Sequence, residues 1–465
     1  MQQIGRKDVI WNFAATLLRI ASGIIVMPLS LRLLSNQDIG LWGIFLTIGT
    51  LTTLLDFGFS NSFSRNITYI FSGAKELHSK GFVSIDTSDN TIDYGLLKSV
   101  VKAMRYYYGI LALGFVCLFS IAGTVYMHSV LEQYNGDKKM AFIAWILYGV
   151  LVAYQLYTYY YDSLLQGRGY VKRSKQIIIV SQIVQIVVIV VCLLADLGLI
   201  SMVVGLLASV IVGRILSYLS FYDQNIRNQF QYAKIRPVKE IMHIMTPNAL
   251  KIGLTALGGF LITKVVMLIS PFYLSLSDVG SFGITKQMID LLGAIGGLWF
   301  STYYPKITHC RIKGDTDGMK RLYIKSKIWL LFVFVCGGLG LILLGEPLLT
   351  FIHSRTHLLT QGAIALFLLF ALLDVNNSFS MSSLLTKNEV PFVKSFLMAG
   401  IATLILLLLL FKFTSFGIWG MILAPGIAQT AYQNWKWPFT VIRELNITAS
   451  DYWTVLRTFK KDIHS

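Results

Sequence analysis

The sequence predicts an all-α integral membrane protein of about twelve transmembrane helices, arranged as two six-helix lobes from duplicated halves, with both termini cytoplasmic. Three observations predict it. Hydrophobic residues make up 55% of the chain and charged residues 14%, with a mean hydropathy of +0.64; soluble domains carry roughly 45–50% and 25%. A bilayer core of about 30 Å needs about 20 apolar residues per helix, and the chain supplies about a dozen such runs. Finally, Leu34-Ser35-Asn36-Gln37-Asp38-Ile39-Gly40-Leu41-Trp42-Gly43-Ile44 aligns without gaps on Leu274-Ser275-Leu276-Ser277-Asp278-Val279-Gly280-Ser281-Phe282-Gly283-Ile284. Matched Leu, Ser, Asp, both Gly and Ile point to a repeated half.

Taken in order, the apolar runs are Val9–Leu34, Ile39–Ser60, Tyr107–His128, Met140–Leu164, Ile177–Leu197 and Leu199–Tyr222 in the first half. The second half supplies Ala249–Tyr273, Val279–Tyr303, Ile328–Leu349, Gly362–Leu384, Ser395–Phe413 and Gly417–Phe439. The organisation predicted is an N-terminal lobe over 1–222, a cytoplasmic connector over 223–240, a C-terminal lobe over 241–440 and a cytoplasmic tail over 441–465. Residues Met1 to Ile10 are too short and polar to open a cleavable signal, so insertion is expected through the first span itself. Ser62 to Gly73 extends the second helix, and Lys75 to Leu97, rich in Ser, Asp, Thr and Asn, reads as a loop. The stretch Lys306 to Lys327 reads as a basic inner loop.

A net charge of +17 does not imply nucleic acid here, because Lys and Arg collect in alternate connections. Roughly 28 fall on one side and 5 on the other, a strong positive-inside bias that sets the inner face. Cys117, Cys192, Cys310 and Cys336 lack metal-ligand spacing and are expected as buried structural thiols. None of the histidines makes a metal motif, and no cofactor is predicted.

Charges inside the spans are the candidate functional residues, because an ionisable group at a helix centre is costly and faces a bundle interior or a wet cavity. Arg19 sits on a stripe with Asn12, Thr16 and Gly23 at helical spacing. Lys286 and Asp290, four apart, share a face as an ion pair or as cavity lining. Lys264 lies within the seventh span but not at the repeat position of Arg19. Asp56 ends the series Thr50, Thr53, Asp56, Ser60 on one helical face, as a cation or proton site or as a capping carboxylate. Arg65 and Arg214 lie near the inner boundary as anchors, and Asp374 forms with Asn376 and Asn377 a polar island that either lines a path or binds a neighbouring helix. Substrate-binding candidates are therefore Arg19, Lys264, Lys286, Asn12 and Thr16; coupling or gating candidates are Asp56, Asp290, Asp374 and Arg65.

The basic start, the span Asn12-Phe13 to Pro28-Leu29, the turn Asp38-Ile39-Gly40-Leu41-Trp42 and the ending Asp56-Phe57-Gly58-Phe59-Ser60 before Arg65 carry a resemblance over essentially the whole chain. It resembles the polysaccharide transporter branch of the multidrug/oligosaccharidyl-lipid/polysaccharide exporter superfamily. The resemblance implies a flippase of the bacterial inner membrane that moves undecaprenyl-pyrophosphate-linked oligosaccharide repeat units, such as O-antigen or capsule units, by alternating access around a central cavity. It also implies membrane lipids and the polysaccharide polymerase and ligase machinery as partners, and it leaves proton or sodium coupling open. A cationic cavity suits an anionic pyrophosphate, whereas the carboxylates keep a cation-coupled multidrug exporter in view. A membrane polymerase or ligase would need an ordered outer loop, and only His353, Arg355 and His357 offer a cluster there.

Overall fold

The computed structural model describes residues 11, 18, 25–77, 91–387 and 391–462. The chain forms two compact units, Met1–Ala256 and Leu257–Ser465. Every regular element among the described residues is helical. Eight of these helices are long and apolar enough to cross a membrane, and a ninth is added when the bent pair Gly253–Thr263 and Val265–Phe272 counts as one span.

In the first unit, residues 25–33 are helical and lead to Ser35, where α1 (Asn36–Gly49) begins. Ser35 Oγ accepts the Asp38 N–H at 3.0 Å while the Asp38 carboxylate accepts the Ser35 N–H at 3.0 Å, a capping box that satisfies two end donors at once. In the second unit the matching Ser275 Oγ accepts the Asp278 N–H at 3.1 Å and donates to Asp278 Oδ2 at 2.7 Å. The repeated Ser and Asp of the sequence are thus the same device, a helix start, used once in each unit.

The second predicted span is not one helix. After α1 comes α2 (Leu51–Leu55), then a break at Asp56–Gly58, then α3 (Phe59–Phe71). Phe57 and Gly58 have φ of +49° and +76°, a left-handed step that glycine takes freely and phenylalanine at a cost of about 1 kcal/mol. Thr50, Thr53, Asp56 and Ser60 therefore do not share one continuous face. Thr50 and Thr53 instead return their hydroxyls to the carbonyls of Thr47 and Thr50.

Helix α4 (Tyr94–Leu118) continues through a π-helical turn, Phe119–Gly123, into α5 (Thr124–Glu132). The turn aims Phe119 at Trp145 of α6 (Lys138–Tyr157), where the rings stack with centroids 4.3 Å apart. A side chain at Gly149 would occupy the place of the Phe119 ring. Helix α7 (Tyr160–Gly167) packs against α3. Helices α8 (Val171–Leu194) and α9 (Ile200–Phe221) make the most extensive pairing, across a turn with positive φ at Asp196 and Gly198. In the predicted connector, Asp223 caps a short helix, α10 (Gln224–Tyr232), whose C-terminal carbonyls at Phe230 and Ala233 accept from Lys98.

The long helix α11 (Val238–Thr263) starts in the first unit and passes into the second, ending at Lys264, where the chain bends by 52° into α12 (Val265–Ile269). The predicted span Ala249–Tyr273 is broken there. Gly258 brings α11 against the backbone of Phe396 and Leu397, closer than any side chain permits. Helix α13 (Leu276–Lys313) is 38 residues long, about 57 Å at the α-helical rise, well beyond a bilayer core. With α14 (Thr316–Phe351) it meets at Gly314, whose φ is +69°. The stretch read as a basic loop is therefore two helix ends joined at one tight turn. Next come α15 (Gln361–Leu385) and α16 (Val393–Phe413). The last predicted span is interrupted at Ala431 and Tyr432, giving α17 (Ile418–Thr430) and α18 (Gln433–Glu444), and the tail forms α19 (Ala449–Asp462) against α14 through a Lys320–Asp451 ion pair at 2.7 Å. Cys310 is buried, but Cys117 and Cys336 are exposed, correcting the expectation of four buried thiols; both sit on apolar helix faces that a bilayer would cover.

At the base of this unit Arg311 ties three helices. It donates to Thr386 Oγ1 at 2.9 Å and to the Ser383 carbonyl at 3.3 Å, and it pairs with Glu444, which Lys387 also reaches at 2.8 Å. Burial works against ionisation of Glu444, yet the bonds from Lys387 and Arg311 outweigh it and hold the carboxyl below its ordinary range. This tie is complete above the unfolded value and is lost as pH falls through the lowered folded one. Arg311→Ala is expected to lower stability by about 2 kcal/mol, read as a drop in thermal unfolding temperature in detergent, with the acid-side loss shallower in the variant.

Candidate functional site

The second unit contains a cavity of about 440 Å³ whose wall draws on α11, α12, α13, α14, α15 and α17. Most of its surface is apolar and aromatic, from Phe282, Phe334, Phe367, Phe370 and Met421. Into it α13 presents Lys286 and Asp290, one turn apart. Lys286 Nζ donates to Asp290 Oδ1 at 2.9 Å and Oδ2 at 2.6 Å. The lysine side chain is 25% exposed and the aspartate 60%, so the pair is wetted from the aspartate side. Lys264, at the bend that ends α11, lies within electrostatic range of both. The bend matters here, because it turns the chain at the residue carrying the charge.

Opposite the pair, α15 presents Asp374. Its Oδ2 accepts from Gln429 Nε2 at 2.8 Å and its Oδ1 from Asn434 Nδ2 at 3.1 Å. Gln429 ends α17 and Asn434 begins α18, so the interruption of the last span delivers both carboxamides to one carboxylate. Of the predicted island, Asp374 is in the cavity lining and also bonded to neighbouring helices, with partners 55 and 60 residues away. Pro425 inside α17 and Gly426 against Phe370 allow the close approach. The buried oxygens Asn377 Oδ1, Gln433 Oε1 and Asn434 Oδ1 have no hydrogen-bond donor among the described residues; of these amides Asn434 is the one bonded to Asp374, while Gln433 Nε2 donates to the Ser395 carbonyl at 3.3 Å. Gln429 and Asn434 escaped the sequence reading; the signal for them was a run of amides, Gln429, Gln433 and Asn434, inside an apolar stretch.

The first unit holds a different arrangement. Asp56 is 4% exposed and its carboxylate accepts the Ser60 N–H at 3.1 Å, the Ser60 hydroxyl at 2.9 Å and the Tyr108 hydroxyl. Tyr107 donates to the carbonyls of Leu55 and Asp56 at 3.3 Å. Of the two roles read for Asp56, the geometry displays the capping one, at the start of α3. Arg65 is exposed on α3, and Arg214 pairs with Asp162 at 3.3 Å. Arg19, Asn12 and Thr16 lie outside the described residues. His357 pairs with Glu346 at 2.6 Å on an exposed loop, and no group of three or more metal-type ligands occurs among the described residues.

No family model matches the sequence, and no curated protein matches it. Solved structures do match. An inward-facing multidrug resistance MATE family transporter of the MOP superfamily aligns over 95% of this chain and 99% of its own, with a TM-score of 0.67 and 13% identity. The lipid II flippase MurJ, in an inward closed conformation, aligns over 96% of this chain and 89% of its own, with a TM-score of 0.59 and 13% identity. An outward-facing MATE transporter aligns over 95% of both chains with a TM-score of 0.50 and 14% identity. At such identities the likeness is one of architecture, and the chain accordingly has the all-helical, MATE- and MurJ-like twelve-helix transporter fold.

Proposed function

We propose that the chain is a flippase of the bacterial inner membrane that translocates lipid-linked oligosaccharide repeat units by alternating access. The observation that carries this reading is a charged cavity, lined by Lys286 and Asp290 of α13 and by Asp374 of α15, with Lys264 at the bend beside it, inside an apolar bundle of transporter fold. Ionisable groups at such depth are costly to keep without a task. The two lysines would offset the desolvation of a pyrophosphate through charge-assisted bonds. A space of about 440 Å³ is of the size that small ligands and headgroups fill, so it suits an anionic headgroup and leaves a multi-sugar chain to other surfaces. Arg19, Asn12 and Thr16 remain the sequence candidates for those. Asp374, bonded to Asn434, whose own amide oxygen has no donor among the described residues, is the coupling candidate for a proton or sodium ion.

One feature favours a second reading, a cation-coupled multidrug exporter. Four phenylalanines and a methionine line the cavity beside two carboxylates, a surface that would also take an amphipathic cation. The two readings diverge under depletion of the protein in its native host. The flippase reading expects undecaprenyl-linked oligosaccharide to accumulate in the inner leaflet, out of reach of a glycan-modifying enzyme added outside. Unchanged intermediates with raised drug sensitivity would support the exporter instead. Single units building up in the outer leaflet would point to the polymerase or ligase step that consumes the flipped unit.

A further inference from the structure

The second unit has another hollow, of about 410 Å³, distinct in its lining from the charged cavity. Its depth comes from three alanines, Ala399 and Ala402 of α16 and Ala428 of α17. The rest of its wall is Pro391, with Ser395 and Met398 at the start of α16, and Tyr432 with Trp437 of α18, which stand edge to face with centroids 6.3 Å apart. Trp437 is 7% exposed, and its indole Nε1 has no hydrogen-bond acceptor among the described residues. At the mouth stands Lys394, exposed.

This combination selects an occupant. The alanine floor is apolar, which disfavours filling by water, and the Tyr432 and Trp437 rings continue it as an apolar wall. A cation and aromatic side chains at the end of a spanning helix mark the interfacial level of a bilayer, where phosphates and ester carbonyls lie. We propose that this groove binds one anionic glycerophospholipid drawn from the surrounding membrane. One acyl chain lies along Ala399, Ala402 and Ala428 and against the Trp437 ring, and the phosphate charge is met by Lys394. The site is a lipid site of the protein body and does not rest on the transport reading.

The test uses the full chain purified in mild detergent, equilibrated with mixed micelles of phosphatidylglycerol and phosphatidylethanolamine, and observed by native mass spectrometry. The expected result is one phosphatidylglycerol retained in preference to phosphatidylethanolamine. Lys394→Gln is expected to lower that retention about fivefold. Ala402→Trp, which fills the groove, should abolish it, whereas Lys286→Met in the other cavity should leave it unchanged. Equal retention of the two lipids, or retention indifferent to Lys394→Gln, would overturn the proposal. So would displacement by inorganic phosphate alone, which would mean a simple anion site, or retention only of undecaprenyl phosphate, which would make the groove a substrate-tail site.

Discussion

Lys286→Met is expected to reduce transport by at least about tenfold while the protein still folds and inserts. The lysine is one of two amines beside the cavity and the only cation on its α13 wall, and its partner Asp290 is open enough to stay hydrated when left alone. Loss of the amine therefore costs little stability, since i,i+4 pairs contribute about 0.3–0.5 kcal/mol when exposed. Its functional cost is larger if the charge meets a substrate phosphate, because charge-assisted bonds in an apolar cavity are roughly twice as strong as neutral ones. A purely structural ion pair makes a different forecast. The double variant Lys286→Met with Asp290→Leu removes both charges, and replacing a pair together is often neutral where removing one partner is not. If transport returned in the double variant, the pair would be a strut. If it stayed lost, with normal membrane abundance and normal thermal unfolding, the pair works in transport and is not a strut, and Asp290→Leu alone shows whether the lysine suffices. The readout is complementation in a depleted host together with the leaflet assay.

Some of this was legible in the sequence for definite physical reasons. The Ser-x-x-Asp start recurs because a helix beginning at a membrane boundary needs its end donors satisfied, and Ser35 with Asp38, like Ser275 with Asp278, does so locally. The pairing of Lys286 with Asp290 follows from helical spacing alone. The interruptions were not legible. Polar residues mark Asp56–Gly58, Lys264 and the amides after Tyr432, but a polar residue in an apolar run does not say that the backbone turns there, because the groups that answer it lie elsewhere in the chain. Asp56 is held by Tyr108, 52 residues on. Asp374 is held by amides more than 50 residues away. A single sequence carries the local half of such an arrangement, the polar residue in an apolar run, and not the partner that answers it. Those breaks are also where the candidate sites lie: the bend at Lys264 edges the charged cavity, and the gap at Ala431 supplies both the Asp374 amides and the aromatic wall of the proposed lipid groove. Broken helices at sites are what membrane transport proteins tolerate, because backbone freed from a helix is accepted only where protein or water can satisfy it.

Asp374 supplies the second large effect. Asp374→Ala removes the acceptor of Gln429 Nε2 and Asn434 Nδ2 together, and it is expected to destabilise the second unit by about 3 kcal/mol while ending transport. Gln429 is 6% exposed and Asn434 6%, so neither amide can turn to bulk water for a replacement. Asp374→Asn separates structure from coupling. Its carboxamide keeps one acceptor and nearly the same volume, so it should recover most of the thermal stability. It cannot carry a negative charge, however, and it cannot take up and release a proton. If Asp374 is where an ion enters the cycle, Asp374→Asn transports slowly or not at all, and whatever rate remains no longer responds to an imposed proton or sodium gradient in vesicles. If the carboxylate only staples α15 to the break between α17 and α18, Asp374→Asn transports with its ion dependence intact. The carboxamide oxygens of Asn377, Gln433 and Asn434 tip the expectation towards the first outcome. A staple requires only the two donors that Asp374 already receives, whereas three further buried amide oxygens without donors are costly to maintain unless a cation visits them.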